Sequence, residues 1–88
     1  MNKKQFKEIL KEKLKSDESK QKILNTIESL RQRESQVVKL SLGINSNQKT
    51  IKEISEELNL SQSYIRTIEA MALYRIQSRY LFRVNNNA

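Results

Sequence analysis

Apolar residues recur along the chain every three or four positions, the spacing that places side chains on one face of an α-helix. Five stretches show this spacing, and polar segments separate them. The apolar positions of the first three stretches are Phe6, Ile9, Leu10 and Leu14, then Ile23, Leu24, Ile27 and Leu30, then Val37, Val38, Leu40 and Leu42. One glycine and no proline in 88 residues also argue against a fold of strands and turns. The pattern predicts an all-α fold.

Residues at the ends of these stretches fit helix caps. Ser16 or Asp17 can cap the N-terminus of the second helix. Gly43, the one glycine, follows the third helix, where a left-handed C-terminal cap belongs. The polar segment "INSNQK" after it is predicted to be a loop.

The fourth and fifth stretches form a closely spaced pair. Thr50, with Glu53 three positions later, has the composition of a capping box. The apolar stripe of the short helix that follows is Ile51, Ile54 and Leu58. Asn59 then stands where a tight turn requires positive φ, Leu60 plugs the turn, and Ser61 caps the next helix. Two helices joined by so short a turn, the second longer and basic, predict a helix-turn-helix.

The second helix of this pair has two opposed faces. At ~100° per residue, one sector of about 80° is apolar. It holds Ile65, Ile68, Ala72 and Ile76, and the opposite sector holds Gln62, Ser63, Arg66, Thr67 and Ala70. Short polar side chains let a helix lie deep in a major groove and contact base edges or phosphates. An ordinary amphipathic surface helix also divides in this way, but the capping box and the turn favour DNA binding.

Charge is concentrated at the two ends of the chain. The formal net charge is +7, with six lysines and two glutamates in residues 1–15 and four arginines and one glutamate in residues 61–88. Residues 49–60 carry two lysines and three glutamates. This placement favours a polyanionic partner such as nucleic acid or an acidic protein surface. A basic excess that only keeps the protein soluble is the alternative.

The residue types that are missing exclude several functions. The chain has no cysteine and no histidine, so disulfides, thiol nucleophiles, imidazole catalysis and the usual zinc ligands are all excluded. A chain of 88 residues suffices for one domain. We therefore predict no enzymatic activity, no cofactor and no metal.

Membrane insertion is not predicted. No segment approaches the roughly 18 apolar residues that a membrane span needs, and no apolar secretory core follows the lysine-rich start. The stripe of residues 1–15 also fits a helix lying on an anionic membrane, but it is thin, which favours docking on the domain or on a partner. A cytoplasmic protein is expected.

Two segments carry a resemblance to a known family. "RQRESQVVKLSLGI" and "TIKEISEELNLSQSYIRTIEAMALYRI" resemble region 4 of the sigma-70 family of bacterial transcription initiation factors. The most specific matches are Arg33 and Glu34, Val37 through Gly43, Ile54, Glu57, Leu58, Ser61, Ile65 and Arg66, Ile68 through Ala70, and Ala72 and Leu73. The resemblance implies a helical domain that sets its recognition helix in the major groove of the promoter's minus-35 element. It also implies that the preceding helices clasp the flap of the RNA polymerase β subunit.

The recognition helix departs from the family at its base-reading positions. Where the family usually has an Arg-Glu pair followed four residues later by Gln, this chain has Gln62, Ser63 and Thr67. Loss of an arginine that pairs with guanine removes on the order of 1 to 3 kcal/mol of discrimination, so a different target is expected. Gln62 can still pair with adenine. Arg66 matches a family position that mainly holds backbone phosphate. Further phosphate candidates are Lys49, Lys52, Arg75 and Arg79.

The sequence predicts three segments. Residues 1–20 form a basic amphipathic helix and linker, residues 21–84 the region 4-like domain, and residues 85–88 a disordered tail. Nothing in residues 1–22 resembles the helices with which sigma factors grip and melt the minus-10 element. A stand-alone or split-sigma regulator is therefore expected, with a second sigma-like polypeptide as a further partner and the N-terminal helix as its adaptor.

Two alternatives remain. In the first, the domain occupies the polymerase flap without reading DNA, which exposed apolar side chains on "RQRESQVVKLSLG" would mark. In the second, it is a dimeric repressor whose symmetric interface contains Tyr74, Tyr80, Leu81 and Phe82. For Tyr64 and Tyr74, packing in the core or at its rim is the more frequent role of such aromatics.

Overall fold

The computed structural model describes residues 2–86, with side chains described through residue 80. This part of the chain folds into five α-helices joined by short connections. They are α1 (Lys3–Lys13), α2 (Asp17–Glu28), α3 (Gln32–Leu42), α4 (Ile51–Leu58) and α5 (Gln62–Asn86). The all-α prediction is confirmed, including the additional N-terminal helix. Within residues 2–86, no helix combines the length and the apolar composition that a membrane crossing requires.

The predicted caps fix several helix ends. In the capping box of α4, the Glu53 amide donates to Thr50 Oγ1 at 3.2 Å and the Thr50 amide donates to Glu53 Oε1 at 2.9 Å. Gly43 ends α3 in the left-handed conformation, with φ 74°. A Cβ atom at this position would approach the Gln48 backbone nitrogen to 2.9 Å, so glycine is required sterically as well as conformationally. Ser16 takes the N-cap position of α2, but its side chain makes no capping hydrogen bond.

Two apolar clusters form the interior. The main core lies among α1, α2, α3 and the middle of α5, and contains Phe6, Leu10, Ile23, Ile27, Leu30, Val38, Leu42, Ala72, Leu73 and Ile76. The helix-turn-helix core lies among α3, α4 and the start of α5, and contains Val37, Ile54, Ile65 and Ile68. Because α3 and α5 each contribute to both clusters, these two helices join the helix-turn-helix to the rest of the molecule.

The helix α1 packs along α5 and runs parallel to it. Near its start, Lys3 Nζ lies 2.7 Å from Glu69 Oε1, and near its end Lys13 Nζ lies 5.9 Å from the centre of the Tyr80 ring. Between these contacts, Phe6 and Leu10 are buried in the main core. The apolar stripe predicted in residues 1–15 is therefore turned toward the body of the protein, in the same core as residues from the segment 21–84.

The last helix continues to Asn86 and so includes the first two residues of the segment 85–88 predicted as a tail. Residues 87 and 88 lie outside the described residues. Of the side chains expected at a symmetric dimer interface, Tyr80 packs partly buried against the main core, whereas Tyr74 is 72% exposed. The side chains of Leu81 and Phe82 lie outside the described part.

Candidate nucleic-acid interface

The turn between α4 and α5 is fixed by its own hydrogen bonds. Asn59 has φ 57° and ψ 46°, the left-handed conformation predicted for it. The Leu60 amide donates to the Ser55 carbonyl at 3.1 Å, and the Ser55 hydroxyl donates to the Leu60 carbonyl. Ser61 Oγ accepts a hydrogen bond from the Tyr64 amide at 3.1 Å and so caps α5. With Leu60 partly buried against the helix-turn-helix core, these contacts hold the start of α5 in one orientation.

The two faces predicted for the start of α5 are present in the structure. The apolar residues Ile65, Ile68, Ala72 and Ile76 are buried. The opposite set, Gln62, Ser63, Arg66, Thr67 and Ala70, is exposed. Thr67 Oγ1 donates to the Ser63 carbonyl at 3.2 Å, which leaves the oxygen of this hydroxyl available as an acceptor. We call this exposed set the outer face of α5.

The two lysines predicted as phosphate ligands near the start of α4 differ in their surroundings. Lys49 precedes the helix, and its Nζ lies 3.4 Å from Glu57 Oε1 in a partly exposed ion pair. Lys52 is exposed in the first turn of α4, and no ion pair of this lysine is formed within residues 2–80. Lys52 is therefore available to an external anion, whereas Lys49 shares its charge with Glu57.

Arg75 and Arg79 lie away from the outer face of α5. They follow Arg66 by nine and thirteen positions, which places them roughly 180° and 220° around the helix. Arg75 Nε lies 3.2 Å from Oε2 of the buried Glu34. One guanidinium nitrogen of Arg79 donates to the Ser29 carbonyl at 3.0 Å and to Ser29 Oγ at 2.9 Å. Both arginines thus connect α5 to the preceding helices.

A buried carboxylate ties α1 and α3 to α5. The Glu69 side chain is 3% exposed, and Lys3, Lys7 and the Ser41 hydroxyl all bond to it, with Lys7 Nζ 3.2 Å from Oε2. Burial alone would raise the pKa of this carboxyl, but the hydrogen bonds from Lys3 and Ser41 and the charges of Lys7 and Lys3 outweigh burial and lower it. Glu69 is therefore an ionised side chain inside the fold. This cluster is not predictable from the sequence, because its members are separated by up to 66 positions.

Three large apolar side chains on α5 are exposed instead of packed. Tyr64 is 51% exposed, Met71 42% and Tyr74 72%, so neither tyrosine packs in the core. Their spacing of seven and three residues places them along one line beside the outer face. Helical periodicity places Tyr74 between Ala70 and Thr67 in the exposed sector of α5, so the sequence held the signal for this position.

Comparison with known families agrees with this geometry. Residues 26–78 match the family model of sigma-70, region 4, so the match extends from within α2 to within α5. Comparison with curated proteins and with solved structures gave no match. The match includes α4, the turn and the outer face at the start of α5, and it excludes α1. The chain therefore belongs to the sigma-70 region 4 family, a family of DNA-binding helix-turn-helix domains that regulate transcription and are not enzymes.

Proposed function

We propose that this protein is a transcription factor that binds a minus-35-like promoter element with the outer face of α5 and binds bacterial RNA polymerase through the β flap. The observation that carries the proposal is the exposed set Gln62, Ser63, Arg66 and Thr67, held outward at the start of a helix that two cores fix in place. Short side chains at this end allow the backbone of α5 to approach the floor of the groove.

Base readout is assigned to Gln62 and Thr67, and phosphate binding to Arg66. An amide such as that of Gln62 can pair with N6 and N7 of adenine. The Thr67 hydroxyl oxygen can accept from the amino group of adenine or of cytosine. Arg66 lies one turn along α5 from Gln62, so it faces the backbone beside the base that Gln62 reads. Lys52, in the first turn of α4, is a second phosphate ligand in this proposal. The target sequence should therefore differ from the one that an Arg-Glu pair reads.

In this proposal the protein regulates transcription either as a stand-alone factor or as one part of a sigma factor that is divided between two polypeptides. The protein supplies the minus-35 contact, and polymerase together with a second sigma-like polypeptide supplies promoter melting. The alternative, binding to the polymerase flap without reading DNA, is less well supported. It would be marked by exposed apolar side chains on α3, whereas Val37, Val38 and Leu42 are buried. The exposed large apolar side chains found within residues 2–80 all lie on α5.

Selection from a random duplex library, with and without core polymerase, tests this function. We expect the protein to enrich a defined motif, and Q62A and T67A to relax the preference at one or two base positions each, by about 1 to 3 kcal/mol per position. Q77A is the matched control for Q62A, since Gln77 lies on the same helix about 22 Å further along. Recovery of duplexes without any shared motif, under both conditions, would contradict sequence reading by α5.

A further inference from the structure

The first turn of α1 is bonded to α5 at Glu69, one turn after Arg66 of the outer face. The parallel arrangement of the two helices follows from their contacts, because Lys3 and Lys7 bond to Glu69 whereas Lys13 lies over Tyr80. The N-termini of α1 and α5 therefore point in the same direction. Glu69 directly precedes Ala70 of the outer face and lies three positions after Arg66, so Lys3 is anchored at the edge of that face.

The offset between the start of α5 and the level at which Lys3 is bound is close to the depth of the major groove. Gln62 precedes Glu69 by seven positions, so the start of α5 extends about 10 Å beyond the level at which Lys3 is bound. The major groove is about 8.5 Å deep. When α5 enters the groove with its N-terminal end foremost, so that Gln62 reaches base edges at the floor, the first turn of α1 is level with the phosphates at the rim.

The charge of this turn suits a phosphate. The first turn of α1 contains no acidic residue. Lys4 is exposed, and it forms no ion pair within the part of the chain whose side chains are described. Lys3 is 41% exposed even though it binds Glu69. Because side chains on a helix tilt toward its N-terminus, both lysines extend in the direction in which α5 points. Arg66 lies one turn before Glu69 on α5, so it is a third cation near the level at which Lys3 is bound.

We propose that the first turn of α1 is a second DNA-contact site, at which Lys4, with Lys3 beside it, binds a backbone phosphate flanking the groove that α5 occupies. This inference rests on the proposed function, since it uses the same docking of α5. It concerns a helix that lies outside the region matched by the family, and it assigns α1 a role in affinity rather than in base choice. Glu69 then has two roles. Its carboxylate binds α1 to α5, and it thereby fixes the position of the first turn of α1 along α5.

The test compares K4Q with K15Q. Lys15 is exposed beyond the opposite end of α1, roughly 16 Å from Lys4, and its substitution removes the same charge. Dissociation constants of the full chain for one fixed duplex are measured over a series of salt concentrations. For K4Q we expect binding about threefold to tenfold weaker at low salt and a slope of log K against log salt that is smaller by about 0.9. For K15Q we expect the affinity and the slope of the unaltered protein.

The possible outcomes separate this inference from the function on which it rests. If the unaltered protein binds DNA and K4Q matches K15Q in both affinity and slope, the phosphate site on α1 is refuted and docking of α5 is unaffected. If the unaltered protein does not bind DNA even at low salt, both proposals fail. Thermal unfolding of the two variants should coincide, because neither side chain is buried. An equal loss for two unrelated duplexes would support a phosphate contact over a base contact.

Discussion

Replacing Glu69 by alanine is expected to lower the free energy of unfolding by about 2–3 kcal/mol, because it removes the buried carboxylate that pairs with Lys3 and Lys7 and accepts from Ser41. The loss stays below that of a fully buried ion pair, since both lysine side chains retain access to water. Urea unfolding measures the difference. E56A is the control, because Glu56 is exposed on α4 and should change stability by less than about 0.5 kcal/mol.

The same carboxylate makes stability depend on acidity. Its pKa is lowered in the folded protein, so the stability it contributes is complete above the ordinary glutamate pKa and is lost as the pH falls through the lower, folded value. Below about pH 4.5 the unaltered protein should therefore lose stability more steeply than E69Q does. Some acid dependence should remain in E69Q, because the hydrogen bonds that Glu53 makes with Thr50 lower the pKa of Glu53 too. Parallel curves for the two proteins would show that Glu69 is not held ionised by its partners.

Replacing Arg66 by alanine is expected to weaken DNA binding by about tenfold, or about 1.4 kcal/mol, because one charge-assisted contact to a backbone phosphate is lost. The loss should be equal for duplexes of different sequence, since phosphate contacts carry no base information. Arg66 is exposed, so the fold should be unaffected. Fluorescence anisotropy with two unrelated duplexes measures both properties.

R79A is the matched control for R66A. Arg79 has the same side chain on the same helix, but it lies about 20 Å further along, on another side, and bonds to Ser29. Its replacement should change DNA affinity less than twofold. Equal losses in the two variants would mean that long-range attraction, and not docking of the outer face, controls binding.

Local features of the fold were predictable from the sequence because they depend on residues a few positions apart. The Thr50 and Glu53 box, the left-handed Asn59 and the Gly43 cap each require particular residue types within one turn of the chain. The opposed faces of α5 were predictable for the same reason, since helical periodicity alone assigns Ile65 inward and Arg66 outward.

Contacts between helices were not predictable in the same way, because they depend on how the helices pack. The stripe of residues 1–15 indicated an amphipathic helix, but the sequence left open whether that helix packs on the domain or on a partner. The pairing of Lys3 and Lys7 with Glu69 follows from the parallel packing of α1 on α5. Likewise, charge alone groups Arg75 and Arg79 with the DNA ligands, whereas packing brings them to Glu34 and Ser29.

The most direct test of DNA docking by the outer face is to map the contact by NMR. Isotopically labelled protein is titrated with a short duplex at low salt, where binding does not require the target sequence. We expect the largest amide shifts at residues 61–70 and in the first turn of α4, with smaller ones at the start of α1. Shifts confined to α2 and the far end of α5, with residues 61–70 unchanged, would contradict the proposed orientation of this protein on DNA.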